Sequence, residues 1–334
     1  MYHLYNTDVV EWAKEYDGPK FHALICDPPY FLDTVQKRYG NMNKDSEGIV
    51  ADRIRNRSDG LARLASGFLG VEWDTDIAFY SDTWKVFGEL MHDGAIGMAF
   101  SHSRNYHRMA SAIEEAGFII YPLIAWINSQ GFPHPTKVKE DGWDDFYYNR
   151  NVLKGSIEPI CVFQKAYPGK MWDAIEKTGA GVWNIGAGRV AGEPVPINVL
   201  EEWSGFGEKI RPKYIQKINT KGRWPANLIG TDGFDLPFDD FFYQMKPTVK
   251  EKNAGLNEKN PHPTIKPIDL IRYLSSLILP PGAYAPRRLF VPFSGTGSEM
   301  IGCLLAGWDH VTGVEIENKS LQVAKRRLEH YVGE

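Results

Sequence analysis

Ala23-Leu24-Ile25-Cys26-Asp27-Pro28-Pro29-Tyr30 is the stretch from which the chain is read. Four small or apolar residues in a row predict a buried strand. A carboxylate follows, then two prolines, then an aromatic. Proline has no N–H and a fixed φ, so the pair ends the strand and holds a stiff, open turn. The turn offers one acid, carbonyls without competing local N–H partners, and an aromatic face. That set suits a planar ring bearing an exocyclic amine, with acceptors for the amine protons and a ring for stacking. A purely structural strand-end turn would use the same residues, so the rest of the chain has to decide.

At 334 residues the chain can bury a large core, and one α/β domain with an insertion is expected. It is 43% hydrophobic with ten Trp, a folded rather than a disordered composition. No basic segment followed by an apolar one opens the chain, and no apolar run is long enough to span a bilayer. A soluble, cytoplasmic protein without membrane contact is expected. Cys26, Cys161 and Cys303 each lie in an apolar run, as core thiols of a reducing compartment do, and no metal-ligand spacing occurs. The net charge of −4 argues against a dedicated basic DNA-binding domain but leaves a DNA enzyme open.

Along the chain, Tyr2–Tyr5 reads as a strand ending in Asn6-Thr7-Asp8, and Val9–Tyr16 as a short helix. Residues 36–65 are polar, with Arg53, Arg55 and Arg57 among several basic residues, and predict a long mobile loop. Thr83–Met91 predicts a helix, Asp93-Gly94 a turn, and Ala95–Phe100 a second buried strand. A helix over Tyr106–Ala116 stops at Gly117, and strands follow over Phe118–Ile127 and Ile160–Gln164. This alternation predicts a Rossmann-like, doubly wound, mostly parallel sheet. From Ala166 to Lys250 the rhythm fades, which predicts a separate, loop-rich insertion. It carries Lys209, Arg211, Lys213, Lys217, Lys221 and Arg223, residues that suit either phosphate contacts or a solvated face. Helical spacing returns at Ile268, Ile271, Leu274 and Ile278 behind Pro267, and Leu321 to Tyr331 gives the final helix.

Leu289-Phe290-Val291 reads as a strand, and Phe293-Ser294-Gly295-Thr296-Gly297 as a turn leading into a helix. A strand over His310–Glu315 follows. Strand, Gly-x-Gly turn, helix and a strand ending in an acid form the nucleotide half of a Rossmann-like sheet. Glu315 lies about 20 residues past the glycines, the spacing at which an acid meets ribose hydroxyls; the alternative is a solvated strand-end acid.

With Asp27-Pro28-Pro29-Tyr30 first, His262-Pro263-Thr264-Ile265-Lys266-Pro267 later and the glycine turn last, the chain resembles a β-class DNA amino-methyltransferase. Further pieces are similar to phage and prophage DNA-adenine enzymes of that class: Gly67-Phe68-Leu69-Gly70, Ala116-Gly117-Phe118, Glu158-Pro159-Ile160 and Gly222-Arg223-Trp224-Pro225-Ala226-Asn227-Leu228-Ile229. The resemblance implies methyl transfer from S-adenosylmethionine to N6 of an adenine flipped out of double-stranded DNA. It also implies three parts: a catalytic half over 1–164, a target-recognition region over 165–250 and a cofactor half over 251–334. A homodimer and a separate restriction endonuclease partner are left open. Methylation of cytosine N4 and a decayed, non-catalytic DNA-binding scaffold are the alternatives.

By the same resemblance, Asp27 and the Pro28 carbonyl would hold the target amine and Tyr30 would stack on the base, with Pro29 completing the motif. Asp8 would bind the cofactor's adenine amine, unless it only caps the following helix. Glu315 would bind ribose, and Phe293, Ser294, Gly295, Thr296 and Gly297 would wrap the methionyl portion, with His262, Thr264 and Lys266 nearby. Asp27 would also face the cofactor. Arg53, Arg55 and Arg57 would join the later basic run on DNA. His134-Pro135-Thr136-Lys137 echoes the later His-Pro-Thr motif but is read as a decoy or a DNA-facing loop. One departure stands out: the family usually has an acid where this chain has Val291. Either another group compensates, or cofactor binding is weaker.

Overall fold

The computed structural model describes residues 1–30, 75–127, 131, 133, 135–149, 152–189, 195–202, 213–219, 221–222, 224–230, 242–243, 247–260, 262 and 265–333. The loop expected over 36–65 lies outside them.

Strand β1 (Tyr2–Asn6) leads to α1 (Val9–Glu15), which starts where expected because Asp8 Oδ1 accepts hydrogen bonds from Val10 N and Glu11 N at 2.8 and 3.0 Å. β2 (Phe21–Cys26) is buried at all six positions, as a central parallel strand covered on both faces must be. A 3₁₀ turn at Ile77–Phe79 precedes α2 (Ser81–Leu90), and β3 (Met91–Phe100) follows directly. The turn expected at Asp93-Gly94 is instead a bulge within β3. Pairing with β2 jumps there from Phe21↔Met91 to Ala23↔Ile96, and Gly94 supplies a φ of 77°.

After α3 (Tyr106–Glu115), the single strand expected over Phe118–Ile127 is two, β4 (Phe118–Ile120) and β5 (Ile124–Ile127). Pro122 falls between them and cannot donate to a ladder. A small hairpin, β6 (Thr136–Lys137) with β7 (Tyr147–Tyr148), takes up part of the expected decoy motif, of which His134 lies outside the described residues. β8 (Ile157–Lys165) runs antiparallel to β3, β4 and β5.

The stretch 166–250 holds more regular structure than its sequence suggests. It contains α4 (Met171–Thr178), a hairpin of β9 (Val195–Glu202) and β10 (Lys213–Asn219), and short strands β11 (Leu228–Gly230) and β12 (Phe242–Tyr243). β11 pairs with β5, so part of this stretch extends the central sheet rather than standing apart from it. α5 (Val249–Asn253) precedes α6 (Ile268–Leu277), whose first amide is capped by Glu251 Oε1 at 2.8 Å. β13 (Arg288–Pro292), α7 (Ser298–Leu305), β14 (His310–Glu315) and α8 (Asn318–Val332) close the chain as expected.

The sheet order is β1-β14-β13-β2-β3-β8-β5-β11-β12, with β4 also on β8; β1 through β3 are mutually parallel. Alternate residues of β2 feed two cores. Ala23 and Ile25 pack with residues of α6 and α7, while Leu24 and Cys26 pack with α1, α2 and α3. This is a three-layer α/β fold with a mostly parallel sheet. The three cysteines are buried within it. Among the described residues no helix is long and apolar enough to cross a membrane, and no cluster of His, Cys, Asp and Glu could hold a metal ion.

Candidate active site

β13 lies between β14 and β2. The chain leaves β13 through α7 toward β14, and leaves β2 through α2 toward β3, so successive connections diverge from the β13–β2 pair. A crevice opens outside the carboxyl ends of such strands. Into it come the turn after β2 and the turn after β13, which are neighbours in space because Leu289 and Phe290 pair with Ala23 and Leu24. The ends of β1 and β14 flank them, in register at Asn6↔Glu315.

A cavity of about 230 Å³ fills this crevice. Most of the expected residues line it: Asp8, Asp27, Pro28, Pro29, Tyr30, His262, Lys266, Phe293, Gly295, Thr296 and Glu315. Ser294 and Gly297 do not. Ser294 is buried beneath the turn with its Oγ lacking a partner. Gly297 caps α7 at φ 83°, where an added Cβ would sit 3.1 Å from Ala324 Cβ of α8. Thr264 lies outside the described residues, as do Arg53, Arg55, Arg57, Lys209, Arg211 and Arg223. Lys213 and Lys217 are on β10, and Lys221 is exposed just past it and does not line the cavity.

At one end of the cavity Lys266 organises the turn after β2. Its Nζ is 2.6 Å from Asp27 Oδ2, 3.0 Å from the Tyr30 hydroxyl and 3.7 Å from Glu158 Oε2, with only 4% of its side chain exposed. Burial pulls its ammonium down, but Asp27, Glu158 and Glu299 outweigh that and hold it above the ordinary lysine value. Lys266 is therefore a fixed cation on the Asp27 carboxylate, a contact across the whole chain that its sequence motif does not announce. Asp27 Oδ1 is left buried and without a partner. The Tyr30 carbonyl accepts a hydrogen bond from Asn105 Nδ2 at 2.8 Å, and burial pushes its phenol well above the usual range.

The opposite wall is the glycine turn. Phe293 takes φ 60°, uncommon for a residue with a side chain, and Ser294 N donates to Val314 O at 2.9 Å. Gly295 N donates to Glu315 Oε2 and Glu317 N to Glu315 Oε1, both at 2.7 Å, so Glu315 ties the turn to the end of β14. Burial raises its carboxyl, with those amides opposing. Beneath the turn, Arg327 of α8 is fully buried and its Nη1 donates to Thr296 O at 2.7 Å and to Ser298 Oγ at 3.0 Å.

Glu299, Glu158 and Asn105 are missing from the sequence-derived site. Glu299 stands in the first turn of α7, lines the cavity and is 6% exposed. No distinct signal in the sequence marks it, because an acid in the first turn of a helix is ordinary; its burial at the cavity wall sets it apart. Val291 is fully buried in the core and does not line the cavity.

The model of the family of N6/N4 DNA methylases matches residues 21–326. The type II methyltransferase M.HindIII of Haemophilus influenzae is 24% identical over 202 residues, 54% of this chain. That match takes in 64% of the relative, so it spans less than two thirds of the relative's length. Among solved structures, the M1.HpyAVI complex with SAM has a TM-score of 0.48 at 17% identity, covering 98% of this chain and 99% of that one. The cytosine-N4-specific PvuII DNA methyltransferase has a TM-score of 0.48 at 12% identity, covering 98% and 87%.

Proposed function

Because the chain belongs to the N6/N4 DNA methylase family, we propose that it methylates an exocyclic amine of a DNA base, and that the base is adenine, modified at N6. The methyl donor is S-adenosylmethionine, and the cavity suits it. Acids stand at Asp8, Glu299 and Glu315 for its amines and hydroxyls, and Val9, Ile77, Phe293 and Val314 offer apolar walls for a flat base. When bound, this cofactor supplies an electrophilic methyl group.

One observation carries the reading: Asp27 has one oxygen fixed by Lys266 and the other buried without a partner. An amine nitrogen conjugated to a ring is a weak nucleophile, because its lone pair is delocalised. Asp27 Oδ1 accepts one of its hydrogens and the Pro28 carbonyl the other. That draws the nitrogen toward tetrahedral geometry and aims the lone pair across the cavity toward the glycine turn. Lys266 keeps the carboxylate from turning away, and the Tyr30 ring stacks on the base. The amine gives up a proton during or after methyl transfer.

Since the amine is out of reach inside a duplex, the base is flipped, at a few kcal/mol of unstacking that the Tyr30 contact helps offset. The β-class order, with catalytic turn first and glycine turn last, fits this reading. So do the division at 1–164, 165–250 and 251–334 and the basic residues from Lys209 to Arg223 as phosphate contacts. The test is incubation of the protein with duplex DNA and radiolabelled S-adenosylmethionine, followed by nucleoside chromatography. Label in N6-methyldeoxyadenosine is expected. Label in N4-methyldeoxycytidine would move the target to cytosine, and no label in DNA would refute the function.

A further inference from the structure

Among the described residues five acids line the cavity, and four of them are already engaged. Asp8 caps α1, Asp27 pairs with Lys266, Glu315 accepts two backbone amides, and Glu317 Oε2 accepts the Ser320 hydroxyl. Glu299 differs. Its carboxylate accepts a hydrogen bond from its own backbone amide, and among the described residues no cation lies in ion-pair contact with it, although it is only 6% exposed. A buried carboxylate without a cation is costly, and a fold that keeps one at a cavity wall holds it for something that enters the cavity.

The ligand read for this cavity, S-adenosylmethionine, carries an ammonium a short carbon chain from its sulfur. The sulfur must face the nitrogen held at Asp27, so the ammonium falls at the Asp27 end of the glycine wall, where Glu299 stands. Position 291, at the end of β13, offers only a buried valine. We propose that Glu299 is the residue that receives the methionyl ammonium of the cofactor, reached from the first turn of α7 rather than from the strand end. This inference rests on the cofactor reading above.

The charged groups facing Glu299 are Asp27 from the end of β2, Lys266 from the segment ahead of α6, and Arg327 from α8. The neighbouring Cys26 and Cys303 thiols and the Tyr30 phenol are all pushed up by burial and stay neutral near pH 7. Burial first, then the Asp27 charge, raise the Glu299 carboxyl to about 7. In the free protein Glu299 is thus partly protonated at neutral pH, and an arriving ammonium favours its ionised form. Binding there releases a proton, and affinity falls as the pH drops below 7.

The experiment is titration calorimetry of the full chain and its Glu299→Gln variant with S-adenosylmethionine, S-adenosylhomocysteine and 5′-methylthioadenosine. The last has neither the amino-acid portion nor the sulfonium. Glu299→Gln should lose about tenfold or more affinity for the first two, a charge-assisted contact removed, and bind the third as the parent does. In buffers of differing ionisation enthalpy at pH 7, the parent should release a proton on binding S-adenosylhomocysteine and the variant should not. Equal loss for 5′-methylthioadenosine would make Glu299 a structural residue and overturn the assignment. Loss confined to S-adenosylmethionine would place Glu299 at the sulfonium instead, and unchanged affinity would also overturn it. A parent chain that binds 5′-methylthioadenosine but neither larger ligand refutes the ammonium site alone. One that binds none of the three refutes the cofactor reading itself.

Discussion

Replacing Lys266 by Met keeps the volume of the side chain and removes the one cation that, among the described residues, is in contact with Asp27. The ammonium sits 2.6 Å from Asp27 Oδ2 and 3.7 Å from Glu158 Oε2, with Lys266, Asp27 and Glu158 side chains 4%, 16% and 23% exposed. Without it, the carboxylates of Asp27, Glu158 and Glu299 lose the cation they share, and Asp27 and Glu299 are left opposed at a buried end of the cavity. Removing one partner of such a pair costs about 3–5 kcal/mol. Unfolding entropy of about 2.1 cal/mol/K per residue gives about 0.7 kcal/mol/K for this chain, so the melting temperature should fall by about 4–7 °C.

The pH dependence fixes the cause. In the variant, Glu299, already raised to about 7 by burial and the Asp27 charge, loses the lowering effect of Lys266, so its folded-state value lies further above its unfolded one. The penalty of keeping it charged is therefore present near pH 8 and recedes as it is protonated toward pH 5. In the parent, Lys266 has a folded value raised above its unfolded one. Its contribution is then complete below the unfolded value and is lost only as pH rises through the folded value, outside this window. The gap between parent and variant melts, followed by circular dichroism, should narrow from pH 8 to pH 5. A variant that melts with the parent at pH 8, or a gap that does not change with pH, would refute the reasoning.

Asp27→Ala should abolish methyl transfer while S-adenosylhomocysteine binding by calorimetry stays within a few-fold of the parent; substantial residual turnover would count against the amine-holding role. Val291→Asp should lower the melting temperature and leave cofactor affinity unchanged, because it buries a surplus charge while Glu299 already supplies the acid; tighter binding would show that the site lacks one. Arg327→Met should loosen the glycine turn by removing the donors to Thr296 and Ser298, raising the cofactor dissociation constant about tenfold, and should move the pH at which affinity falls upward, because the guanidinium no longer lowers the Glu299 carboxyl; titration across pH checks it. Exchange of residues 165–250 for those of a relative should move the methylated sequence, read by methylation-sensitive sequencing.

Local signals carried much of the fold into the sequence. Continuous burial at Phe21–Cys26, the Asp8 cap, Pro267 before α6 and the turn of Phe293–Gly297 are each written in a few adjacent residues. Where the reading failed, the deciding interaction was not local. The break between β4 and β5 follows from Pro122 meeting a ladder to β8, and the antiparallel sense of β8 depends on which strands flank it. β11 looks like part of an irregular insertion until its pairing with β5 is known. At the site, Asp27 and Glu315 were legible because each ends a strand in a recognisable pattern. The contact of Lys266 with Asp27 is not legible, because the two lie 239 residues apart, although the cavity position expected of Lys266 is where the structure puts it. Glu299 is not legible because burial and the lack of a cation among the described residues, not residue type, set it apart from other helix-start acids.

The most direct measurement is base-resolution sequencing of modified bases in DNA from a host without its own adenine methylation, expressing either the parent chain or Asp27→Ala. The parent should leave N6-methyladenine at one fixed sequence, and Asp27→Ala should leave none. An unmodified genome with the parent chain, or the same mark persisting in Asp27→Ala, would contradict methylation of a base amine directed by Asp27.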